Sequence, residues 1–226
     1  MHNFISSVIS RLRKEPFELD GRVPLLYTLR IVFAKSVQLI YGMLLFRRLK
    51  CFVSPFSTIK CASKIRIKGF LMIAKGCVID ALSTDGVVFG NGVSVGRETS
   101  IECTGTLKQL GKGLIVGNNV GLGEKCHYGC AGGIEIGDNT IVGIYVTMHS
   151  ENHVFSDADK PIREQGVSHK GIKIGSNCWI GAKVTILDGA VVGDGCVIAA
   201  GAVVRGTFPE NCVIGGVPAR ILKFRI

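Results

Sequence analysis

Residues 174–204 read Ile174-Gly-Ser-Asn-Cys-Trp-Ile180-Gly-Ala-Lys-Val-Thr-Ile186-Leu-Asp-Gly-Ala-Val-Val192-Gly-Asp-Gly-Cys-Val-Ile198-Ala-Ala-Gly-Ala-Val-Val204, with an aliphatic residue at every sixth position. Glycine follows Ile174, Ile180 and Val192, and Cys178, Val184, Ala190, Cys196 and Ala202 stand two places before the later rungs. A period of six matches neither the 3.6 of a helix nor the simple alternation of a half-buried strand. It fits a three-sided prism in which each side takes one hexapeptide, so that about 18 residues close a turn and the aliphatic residues stack inside. The chain is therefore expected to be all-β, a parallel β-helix.

The ladder continues upstream in shifted registers: Ile136, Val142 and Met148; Val116 and Leu122; Phe89, Val95 and Ile101; Ile67, Ile73 and Ile79. The joins fall in stretches such as Cys103 to Gly113, which read as wider corners. Three parts follow: a basic, apolar helical segment over 1–50, the solenoid over 51–213 with one excursion at 149–171, and a tail over 214–226. The nine cysteines show no paired framework. Cys178 and Cys196 fall on the small-residue rung, which points to packed, reduced thiols and a cytoplasmic chain. Cys126-His127 with Cys130 lacks a second pair for zinc, so no metal is expected.

The net charge of +10 is uneven: residues 1–68 carry 13 Lys/Arg against 3 Asp/Glu, and residues 69–226 carry 14 of each. A neutral solenoid body argues against a nucleic-acid partner, which would need cations along one face. Within the basic part, residues 24–49 read as a helix. Pro24 suits its first turn, and Leu25, Leu29, Val32, Phe33, Val37, Ile40 and Leu44 form a helical stripe. The longest uncharged run, Ser36 to Phe46, spans 11 residues, short of the roughly 20 that cross a bilayer. No small-residue cleavage site follows, so a signal peptide is not expected. Two roles stay open and are compatible. The segment caps the first coil of the solenoid, or it makes a peripheral contact with an anionic membrane.

The ladder breaks once in its clearest stretch, between Met148 and Ile172. The insert is polar and holds His149, His153 and His169, three of the five histidines. A long excursion from a rigid scaffold is where function concentrates. The order Ile136-Gly-Asp-Asn, Asn152-His153, Ile174-Gly-Ser-Asn-Cys-Trp179-Ile-Gly-Ala182, Gly216-Val-Pro-Ala-Arg220-Ile resembles the hexapeptide-repeat acyltransferases. The resemblance covers about residues 60–224. It is greatest to the branch with galactoside and maltose O-acetyltransferases and the O-acetyltransferases of surface polysaccharides.

That resemblance implies a left-handed coil, a homotrimer, and acetyl-CoA bound as co-substrate in grooves between neighbouring prisms. It implies direct transfer of the acetyl group to a sugar hydroxyl of a small or lipid-linked acceptor, with His153 as general base. The backbone N–H of Ala182 corresponds to the group that would steady the developing oxyanion. Ala182, Ala200, Arg205, Arg220 and Lys223 take the positions of CoA contacts. Trp179 is a candidate wall of the acceptor or pantetheine site, His149, Asp157 and Arg163 are candidate acceptor contacts, and Gly123 falls where the galactoside enzymes carry an asparagine beside the sugar. Two other readings stay open: a zinc hydratase like γ-type carbonic anhydrase, using His127, His149 and His153, and a solenoid with no chemistry.

Overall fold

The computed structural model describes residues 18–225. It is a column of three parallel sheets, one per prism side, with nine, seven and seven strands. The first face runs from Cys51–Val53 through Trp179–Ile180 to Cys212–Gly216. The second runs from Thr58–Lys60 through Ser100–Glu102, His127–Gly129, Thr147–His149 and Thr185–Leu187 to Val203–Val204. The third runs from Ile65–Ile67 to Thr207–Phe208. The column is a left-handed parallel β-helix. All six rungs from Ile174 to Val204 are buried, as are the upstream aliphatics of each shifted register.

Coil lengths locate the excursions. Ser176 and Asp194 lie one above the other 18 residues apart, the ideal turn. Asn118 and Asp138 are 20 apart, Arg97 and Glu124 are 27 apart, and Thr147 and Thr185 are 38 apart. The 27-residue coil carries the Cys103–Gly113 loop, and the 38-residue coil carries the histidine-bearing excursion.

The glycine after each aliphatic has a steric cause. The Asp194 carboxylate accepts the Ser176 N–H at 2.7 Å, and the Asp138 carboxylate accepts the Asn118 N–H at 2.7 Å. A Cβ on Gly175 or Gly117 would collide with those carboxylates. Each coil thus satisfies the corner of its neighbour only where the neighbour has no side chain. At the next step of the corner Asn119, Asn139 and Asn177 adopt the left-handed conformation, with φ of 54°, 56° and 56°, which asparagine tolerates better than most residues.

Helix α1 spans Leu25–Phe46. Its last turns cap the first coil: Tyr41, Leu45 and Phe46 pack on the core, and at buried Gly42 a Cβ would strike the Cys51 carbonyl. Its remaining apolar side chains face outward, with Leu26 63%, Phe33 71% and Leu44 73% exposed. The uncharged run alone makes this segment too short to span a bilayer, and that expectation needs correcting. At 22 residues α1 is long and apolar enough to cross a membrane by length and composition, the one such helix among the described residues. The uncharged run underestimates it because Arg30 and Lys35 interrupt an otherwise apolar helix. The earlier part of the 1–50 segment, up to residue 17, lies outside the described residues. At the other end Cys212–Gly216 and Ala219–Phe224 form an antiparallel hairpin that extends the first face and takes in the tail.

Candidate active site

On the second face the strands Ser100–Glu102, His127–Gly129, Thr147–His149 and Thr185–Leu187 lie in register. Their middle residues, Ile101, Tyr128, Met148 and Ile186, point inward and are fully buried. Alternation therefore turns the flanking residues outward. Above them the excursion leaves at Ser150 and returns at Gly171, and both roots are pinned. The buried Ser150 hydroxyl donates to the Gly129 carbonyl at 2.8 Å and accepts the Gly132 N–H at 2.9 Å. Asp188 accepts the N–H groups of Lys170 and Gly171 at 2.9 and 2.8 Å.

Between the face and the root lies a cleft of about 360 Å³, lined among others by Glu102, His127, His149, Glu151 and His153. His153 stands on a two-residue strand, Asn152–His153, that pairs antiparallel with Val167–Ser168. The excursion's own return therefore holds the imidazole at the rim. His127 and His149 lie one coil apart with ring centroids 5.5 Å apart and planes 38° from parallel. Ser100 Oγ lies 2.8 Å from His127 Nδ1, and His169 Nε2 lies 3.2 Å from Glu151 Oε2. Burial, and then the neighbouring His127, hold His149 below the usual imidazole range, with Glu151 opposing. His149 is thus kept as a neutral donor–acceptor near pH 7. The nearby thiols are a different matter. Burial pushes Cys126 and Cys130 up, and Cys178 to about 11, so they are packing groups and not nucleophiles.

The structure brings His149 and His153 into one cleft and adds His127, Glu102 and Glu151, which the sequence alone does not assign to an acyl-transfer site. The other candidates lie elsewhere. Asp157 is engaged within the excursion, where Gln165 bonds both its backbone N–H and its carbonyl, at 3.0 and 2.7 Å. Arg163 sits exposed on the short helical turn Ile162–Glu164. Trp179 is 57% exposed on the first face, beside Ile141. Ala182 and Ala200 follow the first-face strands one coil apart, Arg205 follows the last strand of the second face, and Arg220 and Lys223 lie on the closing hairpin. Gly123 is also absent from the cleft; it sits at a corner, its carbonyl accepting the Thr99 hydroxyl at 2.7 Å. The glycines in the cleft wall are Gly105 and Gly129, of which Gly129 lies on the second face. One step of strand alternation forward from the inward Tyr128 turns Gly129 outward into that wall.

Residues 171–206 match the family model described as bacterial transferase hexapeptide (six repeats). That stretch carries the hexapeptide repeat of the family model. It is 35% identical over 104 residues to WbbJ of Escherichia coli (strain K12), whose name places it with lipopolysaccharide biosynthesis O-acetyl transferases. That match covers 43% of this chain and 53% of WbbJ. Galactoside O-acetyltransferase of the same strain is 36% identical over 91 residues, 40% of this chain and 43% of that protein. The chain thus spans about half the length of these curated relatives. Among solved structures, a point mutant of AntD, an N-acyltransferase from Bacillus cereus, in complex with dTDP and coenzyme A, superposes with a TM-score of 0.58 at 20% identity. The superposition covers 72% of this chain and 83% of that one, and it establishes the shared fold.

Proposed function

We propose that the hexapeptide-repeat protein is an acetyltransferase that moves the acetyl group of acetyl-CoA to a sugar hydroxyl, with His153 as general base. The observation that carries this reading is the imidazole of His153 at the rim of a cleft formed where a pinned excursion leaves a rigid column. Support comes from relatives named as O-acetyltransferases. A thioester is already activated, so the reaction needs only a base to take the hydroxyl proton and a donor for the carbonyl oxygen. His153 serves as the first. The Ala182 N–H is assigned as the second, and Ala200, Arg205, Arg220 and Lys223 as contacts for the CoA chain and its phosphates. Trp179 is assigned to the wall of the donor groove.

His153 lines a cleft on the second face, whereas Trp179, Ala182 and Ala200 belong to the first face and its corner. The reading therefore assembles a homotrimer in which one prism supplies the base and its neighbour part of the donor groove. The acceptor is a sugar of a surface polysaccharide or its lipid-linked precursor, and the protein works in the cytoplasm. Peripheral membrane contact through residues 1–50 fits the outward apolar side chains of α1. It also fits residues 21–79, which contain 11 Lys/Arg and no acidic residue.

The test is release of CoA thiol from acetyl-CoA with sugar acceptors, comparing the parent with His153→Ala. Loss of a positioned base should lower kcat by roughly 10²–10⁴-fold, with the thermal melt unchanged. Full activity in His153→Ala would refute the assignment. The shared site has its own check: mixed oligomers of His153→Ala and Arg220→Ala subunits should recover activity that neither variant has alone, and no recovery would count against it. Pelleting with vesicles containing anionic lipid tests the membrane contact. It should fall on deletion of residues 1–50, and unchanged pelleting would remove that part of the reading.

A further inference from the structure

The outward side chains of the second face form two rows. Ser100, His127, Thr147 and Thr185 make one; Glu102, Gly129, His149 and Leu187 make the other. Strands on one face are about 4.8 Å apart, so the second row presents a side chain at every step except Gly129. No turn demands glycine there, since Gly129 lies within a strand and its φ is not left-handed. A Cβ on Gly129 would lie 3.4 Å from His127 Nε2 and 4.0 Å from His149 Nδ1. Two ring nitrogens from successive coils therefore converge on a notch in the cleft wall.

Ser100 Oγ, at 2.8 Å from His127 Nδ1, leaves only Nε2 of that ring for the notch. If the serine donates, Nε2 carries the proton and donates; if the ring donates to serine, Nε2 accepts. A ligand hydroxyl, both donor and acceptor, satisfies either arrangement and can bridge to His149. The remaining titratable groups of the cleft are Glu102 on its own strand and Glu151 and His153 at the excursion root, with His169 against Glu151. Among the described residues, no lysine or arginine lines it. An acidic sugar placed here would bring its carboxylate toward two others with no cation to offset them.

Resting on the proposed transfer reaction, we infer that the notch at Gly129 is a specificity site for the acceptor. His127 Nε2 and His149 Nδ1 hold a hydroxyl of an uncharged sugar, and Glu102 and Glu151 turn acidic sugars away. His127 is then a binding residue and His153 stays the base.

The full chain would be assayed for acetyl-CoA-dependent thiol release with p-nitrophenyl glycosides of neutral hexoses and with the matching glucuronide. The neutral glycosides should be favoured at least about tenfold in kcat/KM, a modest electrostatic discrimination. Gly129→Ala fills the notch at a separation the neighbours tolerate. It should raise the acceptor KM about tenfold, roughly one or two neutral hydrogen bonds, and leave the acetyl-CoA KM in place. His127→Gln should do the same, and Glu102→Gln should narrow the gap between neutral and acidic glycosides. A general structural defect would instead disturb the acetyl-CoA KM as well. Acceptor KM values unchanged in both Gly129→Ala and His127→Gln, or equal use of the glucuronide, overturn the inference. Saturation-transfer NMR reads the notch without turnover. A neutral glycoside signal lost in Gly129→Ala supports the notch even if no acetyl group moves, and a signal equal in parent and variant overturns it while leaving the transfer reading intact.

Discussion

Replacing Tyr128 by phenylalanine should make this protein more stable. Tyr128 is fully buried on the inward row of the second face, between Ile101 and Met148, directly behind the cleft wall. Its hydroxyl has no hydrogen-bond partner among the described residues. The polar neighbours are sulphurs: burial first, and then the Cys126 thiol, raise the Tyr128 pKa well above the usual phenol range. Burying a hydroxyl without a proper partner costs about 1–3 kcal/mol, and a thiol returns only part of it. Tyr128→Phe keeps the ring and its packing and removes that cost. The expected gain is about 1 kcal/mol, or about 2–4 °C in Tm for a chain of this size. Melts would be compared at one protein concentration, since any oligomer adds its own concentration dependence. Tyr128→Ala serves as the contrast and should lose about 3–5 kcal/mol through the cavity it leaves. Because the hydroxyl points away from the cleft, acetyl transfer by Tyr128→Phe should match the parent. A lower Tm in Tyr128→Phe would show that the hydroxyl is well bonded and that the reasoning fails.

Three further outcomes are expected. His149 has a folded-state pKa below the ordinary 6.5 of an unfolded imidazole. The unfolded chain therefore takes up the proton first as pH falls through that value, and stability drops until the pH passes the lowered pKa. Urea midpoints should fall across this window in the parent and less in His149→Gln; an identical fall in both would refute the role given to burial. Gly175→Ala should cost about 1–3 kcal/mol, because the new Cβ displaces the Asp194 carboxylate from the Ser176 N–H. Combined with Asp194→Ala it should cost less than the sum of the two, and strict additivity in urea melts would contradict the contact. Ile186→Ala, on the rung between Met148 and Val204, should lose about 2–5 kcal/mol; a near-parental melt would mean that the rungs do not pack.

The sequence revealed the column because each inward rung is decided by short-range physics. A six-residue period of aliphatics with glycine behind it admits one packing, and Ile174 to Val204 sit where that period places them. The same physics marked the excursion, since the largely polar stretch between Met148 and Ile172 carries no six-residue aliphatic period that could stack. It could not reveal the cleft, which depends on which outward residues of different coils lie above one another. His127 and His149 are 22 positions apart in the chain. They become neighbours only because Tyr128 pairs with Met148, a register that the shifted joins between coils conceal. Asp157 and Arg163 do not line the cleft, and their placement was illegible for a related reason. Inside an excursion no period fixes direction, and Gln165 closes the loop on Asp157 in a way that composition does not show.

The division of the candidate residues between two faces follows from the geometry of a prism. A flat side built of parallel strands can present rows of side chains but cannot fold over them, so a single column offers ridges and shallow walls. The cleft beneath the excursion is the exception, and its depth comes from a loop anchored by Ser150 and Asp188. A donor as long as acetyl-CoA needs a second wall. The described residues supply none beside Trp179 and Ile141, which stand 57% and 61% exposed on the first face. Adjacent exposed apolar groups on a rigid face are costly to leave in water and are typical of a covered surface. The most economical cover is the second face of another copy, which would carry His153 and its cleft to the groove beside Trp179. On that proposed arrangement the corner glycines and asparagines would have a second consequence. By holding successive coils in register they would keep each face flat enough for two prisms to meet closely, as the proposed transfer from one copy to the base of another requires.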